Sequence, residues 1–388
     1  MKLKYYLIVA LAISFSFIAL GQKTVTGTIT SDNVKRSYRL YIPKSYTGTS
    51  AVPLLFNFHG YTSNALQQEF YGSFKAIADT ANFLVLLPEG LPLIGTNTGF
   101  NNFSLPGVKP DDVLFTSNLI DSISATYNVD KNRIYSTGMS NGGFMSYDLA
   151  CFLSERIAAI ASVAGSMVQL HLSTCQAKHP TPVMQIHGTT DQVIPYNGVG
   201  ILVTSVHIDT LINHWVKFNK CNAIPSKTNI PNANTADNCT AERYVYENGT
   251  NGSTVEFYKI IGGGHTWPGS LISTGSGNTN KDFNASLAIW QFLSRYRLNQ
   301  VTAAKNTVAD NTDFSIFPNP SNGFFTLKSD TESEASLLIF NSIGELLLNK
   351  DIKAAYLDFS LENAPKGLYF YQIKGKNTLL KSGKLVID

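Results

Sequence analysis

The sequence predicts an α/β fold, a mostly parallel central sheet flanked by helices, followed by a small all-β sandwich at the C-terminus. Three observations predict it. Apolar runs at 53–58 and 83–87 flank a helical pattern at about 67–81, and strand, helix, strand with both strands largely apolar is the order of a parallel sheet. A β-branched and aromatic run at 133–137 ends abruptly in Gly138-Met139-Ser140-Asn141-Gly142-Gly143, a strand-to-helix turn with a serine at its apex. Beyond residue 298 a polar linker gives way to short alternating runs with no helical period.

Length and composition bound the answer. With 388 residues and 44% apolar content, the chain can bury one large core and one smaller one. The formal charge is +3, and loss of Lys2 and Lys4 with a leader leaves the rest near +1. Without a clustered basic face, nucleic acid and anionic membranes are not expected partners. Residues 1–21 run from Lys2 and Lys4 through an apolar stretch to Ala19-Leu20-Gly21, the order of a secretory signal peptide and short for a membrane span. Export follows, with no span left after cleavage. Cys151, Cys175, Cys221 and Cys239 then sit in an exported chain and allow three pairings. Sequence neighbours are the simplest choice, Cys151 with Cys175 and Cys221 with Cys239. The absence of a Cys-x-x-Cys pair argues against a metal.

Taken in order, the alternating runs 25–31 and 34–42 around Asp32-Asn33 read as a hairpin at a sheet edge. The strand 53–58 ends in His59-Gly60-Tyr61, and the strand 83–87 is capped by Pro88-Glu89-Gly90. Proline and glycine punctuate 91–110, a loop long enough to cover a site. Asp111-Asp112 read as capping charges on a helix at 113–127. After the serine turn come a helix at 141–153, strands at 157–163 and 182–186, and an amphipathic helix at 203–218. His207 and His214 on that helix are seven apart, whereas a metal pair wants four. Runs at 242–247 and 254–260 form a hairpin or adjacent strands, and 283–296 a closing helix.

Gly-x-Ser-x-Gly arises by chance in roughly one chain in ten of this length, so the turn at Ser140 needs partners. A serine nucleophile requires a base to take its proton and an acid to orient that base. In α/β-hydrolases the chain order is Ser, then Asp or Glu, then His. Asp191 follows the strand ending Ile186-His187-Gly188, and His265 lies in the glycine loop Gly262-Gly263-Gly264-His265-Thr266-Trp267-Pro268-Gly269, so Ser140, Asp191 and His265 fall in that order. His59 and His187 compete for the base role but each precedes a strand-end glycine and more readily shapes a turn. Asp148 and Asp237 are rivals for the acid by position. The amides of Asn141 and Tyr61 are the expected oxyanion hole. Such a mechanism requires no metal or organic cofactor.

His59-Gly60, Gly138-Met139-Ser140-Asn141-Gly142-Gly143, His187-Gly188-Thr189-Thr190-Asp191 and the 263–269 segment together resemble the secreted polyhydroxybutyrate depolymerase and feruloyl esterase family over roughly 25–298. The resemblance implies an α/β-hydrolase esterase domain with nucleophile Ser140, acid Asp191, base His265, a disulfide joining Cys151 to Cys175, and Trp267 near the pocket mouth. The stretch Gly99-Phe100-Asn101-Asn102 departs from the family in lacking a tryptophan, which leaves the choice among esters open. Substrate-facing candidates are His59, Trp267 and Phe100, and the aromatics Trp267, Phe100 and Phe103 tilt the expectation toward hydroxycinnamoyl or acetyl esters of plant polysaccharide rather than short-chain polyester. A serine peptidase of the same fold, or an inactive surface-binding protein, are the alternatives.

The remaining chain divides into a linker at 299–312 and a β-sandwich at 313–388, after a hydrolase domain at 22–298. Phe317-Pro318-Asn319-Pro320, Gly367-Leu368-Tyr369-Phe370 and Lys384-Leu385-Val386-Ile387 resemble the C-terminal sorting domain of type IX secretion. That resemblance implies secretion machinery as a partner and a location outside the cell or on its surface, reached through the periplasm. A carbohydrate-binding or adhesive sandwich is the alternative.

Overall fold

A computed structural model describes residues 23–102, 109–198, 205–272, 275–298, 314–329, 335–341, 346–375 and 379–388. The signal peptide, the linker and Phe103 lie outside these residues. Two compact units divide the chain, 1–301 and 302–388.

The first unit opens with β1 (Lys23–Ser31) and β2 (Val34–Ile42), paired antiparallel from Ser31 opposite Val34, with Asp32 and Asn33 both left-handed as a tight hairpin turn requires. Next come β3 (Val52–Phe58), α1 (Ala65–Tyr71), α2 (Lys75–Ala81) and β4 (Leu84–Pro88). The expected single helix is thus two. The break falls at Gly72, where an added Cβ would lie 2.4 Å from Asn57 Nδ2, and at Ser73, whose φ is 32°. Part of the expected loop is a small hairpin, β5 (Leu91–Ile94) with β6 (Asn97–Gly99). Then follow α3 (Asp112–Thr126), β7 (Val129–Met139), α4 (Asn141–Phe152), β8 (Ala159–Val163), α5 (Gln169–Thr174) and β9 (Val183–Gly188). The unit closes with α6 (Ile208–Asn219), β10 (Ser226–Ile230), β11 (Thr240–Tyr246), β12 (Val255–Ile261) and α7 (Ala285–Leu293).

Among the described residues, one ten-stranded sheet runs in the order β1-β2-β4-β3-β7-β8-β9-β12-β11-β10. The stretch β4-β3-β7-β8-β9-β12 is parallel, and antiparallel strands flank it on both edges. Its strands β3, β8 and β9 are buried along their whole length, since helices cover both faces, and two apolar clusters fill the two sides. This topology brings the C-terminal ends of β3, β7, β9 and β12 to one rim. Polar groups gather there.

In the second unit, β13 (Phe314–Phe317), β14 (Phe324–Ser329), β15 (Ala335–Phe340), β16 (Leu346–Ile352), β17 (Tyr356–Ser360), β18 (Gly367–Gly375) and β19 (Leu379–Ile387) form two antiparallel sheets. Alternate residues such as Phe325, Leu327, Leu337, Ile339, Tyr371 and Ile373 share one core, giving the expected all-β unit. No helix among the described residues is long and apolar enough to cross a membrane.

Candidate active site

Ser140 joins β7 to α4 with φ 55° and ψ −118°, a conformation that costs a non-glycine residue about 1–3 kcal/mol and persists only where the surroundings enforce it. The surroundings are backbone. A Cβ on Gly142 would fall 2.2 Å from Phe58 O, and one on Gly138 would fall 2.5 Å from Gly142 O. Ser140 N donates to Val163 O of β8, and Phe144 N donates back to Ser140 O to start the helix. These bonds hold the serine at the apex of the turn.

Asp191 follows β9 and is buried. Its Oδ1 accepts the amides of Val193 and Ile194, both at 2.9 Å, which leaves Oδ2 for His265 Nδ1 at 2.8 Å. Asp191 and His265 are 74 residues apart in sequence and meet because β9 and β12 are parallel neighbours. Gly188, at the end of β9, permits close approach of the two loops: a Cβ there would sit 2.2 Å from Gly263 O. With Nδ1 committed to the carboxylate, Nε2 is the nitrogen left for the cleft that His265 lines together with Ser140.

Asn141 is the first residue of α4, so its amide is among those with no acceptor inside the helix. Gly60 brings the loop after β3 against the serine, where an added Cβ would lie 3.4 Å from Ser140 Cβ. Tyr61, Ser140 and Asn141 all line the same cleft.

His59 holds that loop rather than facing substrate. It is fully buried, its Nδ1 donates to Gly60 O at 2.8 Å, and its Nε2 accepts Gly90 N at 2.9 Å. The ring is therefore neutral, and Glu89 Oε1 at 3.5 Å is a neighbour and not an ion-pair partner. Burial is the main cause that lowers its pKa to about 4. Phe100 and Trp267 are also misplaced by the sequence reading. Phe100 is fully buried, edge-on to Phe58, and Trp267 is 1% exposed, edge-on to Phe74 with its indole N–H donating to Ser286 on α7. Both pack the loops from behind because their large apolar faces gain more from the core than from the cleft.

The competing residues are accounted for. His187 Nε2 donates to Ile194 O and Nδ1 accepts from Gln185, so the ring ties down the loop that carries Asp191; burial holds its pKa below the ordinary value. Asp148 pairs with His171 at 2.6 Å, and Asp237 accepts the amides of Cys239 and Lys281. Asp111 caps α3 through Leu114 N, whereas Asp112 is buried against Arg36 at 2.6 Å and accepts Asn101 N. The second aspartate is thus a loop anchor and not a capping charge.

Cys151 and Cys175 form a disulfide, while Cys221 and Cys239 are free thiols. The expected second bridge fails on distance. Cys239 immediately precedes β11, and Cys221 lies against Ser253 beyond that strand's other end. Seven residues of strand separate the two by roughly 20 Å, against the 7 Å or less between Cα atoms that a bridge needs. Burial pushes both thiols up to about 11.

The cleft has a volume of about 1190 Å³. Sequence pattern does not mark its rim: Phe70, Ile94, Leu170, Val193 and Ile272 line it from five separate segments, and all five are exposed. Among the described residues no group of three or more His, Cys, Asp or Glu is placed to hold a metal ion.

Comparisons with known proteins find family matches in two stretches of the chain. Residues 110–226 match the phospholipase/carboxylesterase family and 315–388 the secretion system C-terminal sorting domain. The chain has an α/β-hydrolase fold that is similar to carboxylesterases, followed by a C-terminal sorting domain. The esterase region is 27% identical over 301 residues to a bifunctional acetylxylan esterase/xylanase of Neocallimastix patriciarum, covering 78% of this chain and 39% of that protein. It is 32% identical over 231 residues to feruloyl esterase B of Piromyces equi, covering 58% and 41%. The chain thus spans about two fifths of the length of these relatives. An acetyl xylan esterase structure from Aspergillus awamori superposes with TM-score 0.47 at 13% identity, covering 62% of this chain and 94% of that one.

Proposed function

We propose that this esterase domain is a secreted serine carboxylic-ester hydrolase with Ser140 as nucleophile, His265 as base and Asp191 as the acid that orients it. The observation that carries the reading is the 2.8 Å bond from His265 Nδ1 to Asp191, made at the cleft that also exposes a backbone-strained Ser140. In the first step Ser140 Oγ attacks the ester carbonyl while His265 Nε2 takes its proton, and the negative charge that develops on the carbonyl oxygen is met by the amides of Asn141 and Tyr61. The imidazolium then protonates the departing alkoxide. Water, deprotonated by the same nitrogen, attacks the acyl-serine and releases the acid and the free serine. Asp191 keeps Nδ1 protonated throughout, and its two backbone donors keep it in place.

An uncharged, apolar acyl group fits a cleft walled by Phe70, Tyr71, Leu93 and Ile94. The names of the relatives favour hydroxycinnamoyl or acetyl esters of plant polysaccharide, with short-chain polyhydroxyalkanoate the competing substrate. A fluorophosphonate should modify Ser140 in folded protein and leave Ser140→Ala unlabelled. Side-by-side hydrolysis of feruloylated arabinoxylan, acetylated xylan and polyhydroxybutyrate ranks the esters. Turnover of a peptide anilide with none on nitrophenyl esters would sink the esterase reading. The sorting domain supports delivery through the periplasm to the cell surface or the medium.

A further inference from the structure

Resting on the acyl-enzyme reading above, we infer that Asn102, Asp148 and His171 are positioning residues that hold the Asn141 amide in register with the oxyanion. Asn141 has two tasks. The residue lines the cleft and its backbone amide, at the start of α4, has no acceptor inside the helix, while its side chain brackets Phe100, with Oδ1 accepting from Phe100 N at 2.7 Å and Nδ2 donating to Phe100 O at 2.9 Å. Asn141 Nδ2 also donates to Asn102 Oδ1, and Asn102 Nδ2 donates to Asp148 Oδ2 at 3.1 Å. Asp148 Oδ1 accepts His171 Nδ1 at 2.6 Å, and the edge-on ring of Phe152 packs the imidazole.

Every member is buried, from 6% exposure at Asn141 to 1% at Asn102 and His171. Each link fixes the next. A side-chain amide can be flipped, but with a carboxylate oxygen on one side Asn102 must present its NH₂ there and its carbonyl to Asn141. Asn141 and Asp148 lie two turns apart on α4, so the chain runs along one helix face and Asn102 bridges it. The far end is tethered covalently, because the disulfide joins Cys151 of α4 to Cys175 at the end of α5, the helix that carries His171. The 100–102 loop is pinned from its other side by Asp112 at Asn101 N. Both anchors serve the backbone, not the substrate, and none of Asn102, Asp148 and His171 lines the cleft.

The test is a comparison of full-chain wild type with Asp148→Asn and Asn102→Ala, using nitrophenyl acetate turnover normalised to Ser140 labelled by fluorophosphonate. A displaced oxyanion donor should lower kcat and the labelling rate together by about 10- to 100-fold, with KM unchanged. Combining both substitutions should lower kcat no further than the worse single variant, since they break one chain. His171→Asn, whose NH₂ can donate from the place of Nδ1, should retain activity that His171→Phe loses. A lower melting temperature with kcat within twofold of wild type in both Asp148→Asn and Asn102→Ala, or additive losses in the pair, would overturn the inference alone. Absence of Ser140 labelling in wild type would overturn the acyl-enzyme reading and this inference with it.

Discussion

Replacing His59 by glutamine tests whether the loop after β3 is held by a neutral imidazole. The ring has no exposed surface, and its Nε2 is the acceptor for Gly90 N, so a proton there would abolish that bond and set a cation beside Arg36. Burial, opposed by the Gly60 bond and aided by Arg36, lowers the pKa from 6.5 to about 4. Between these values the unfolded chain holds a proton that the folded chain has released. Stability therefore rises with pH across the window and is lost as pH falls from about 6.5 toward about 4. The full separation corresponds to about 3 kcal/mol, of which about 2 kcal/mol falls between about pH 7 and about pH 5. Glutamine can still accept from Gly90 N but does not titrate. Urea unfolding followed by tryptophan fluorescence reads the esterase unit alone, because the chain's three tryptophans, Trp215, Trp267 and Trp290, all lie in it. Wild type should lose about 2 kcal/mol more than His59→Gln over that interval. Equal losses would refute a neutral, buried His59.

Two other outcomes are expected. Asp191→Asn preserves the shape of the buried side chain but not its charge, and it should reduce kcat about 10⁴-fold while leaving the unfolding midpoint close to wild type; a loss below tenfold in nitrophenyl ester hydrolysis would remove Asp191 from its role. Alkylation of the denatured, unreduced chain should modify Cys221 and Cys239 alone, with Cys151 and Cys175 reacting only after reduction. Peptide mapping that found Cys221 bridged to Cys239 would contradict the strand geometry between them.

The parallel strands were legible because burial on both faces leaves a nearly continuous apolar run, as at 53–58, where only Asn57 is polar and which β3 extends by a single residue. The turn at Ser140 was legible for a similar reason: Gly138 and Gly142 have no room for a Cβ, so their identity is written into the chain. Signals failed where tertiary contact decides. β10, Ser226–Ile230, is largely exposed and polar, and only its pairing with β11 makes it a strand. An aromatic residue near a motif carries no label for direction, so Phe100 and Trp267 read as substrate contacts although both turn inward. The exposed rim of the cleft, from Phe70 to Ile272, was illegible because five distant segments compose it.

The histidines near the rim make the same point in chemical terms. His59 and His187 end parallel strands before a glycine, His265 follows a third strand, and sequence alone ranks them only by order and loop composition. What separates them is the fate of the second nitrogen. In His59 one nitrogen donates to Gly60 O and the other accepts Gly90 N; in His187 one donates to Ile194 O and the other accepts from Gln185. Both rings are saturated by the protein, and neither lines the cleft. His265 spends Nδ1 on Asp191 and lies on the cleft wall with Ser140. A base must release and regain a proton at each turnover, so a ring with both nitrogens bonded to fixed backbone or amide partners is excluded by its own satisfaction. The two saturated rings instead brace the loops that carry Tyr61 and Asp191, which places a neutral histidine behind the proposed oxyanion donor and another behind the proposed acid.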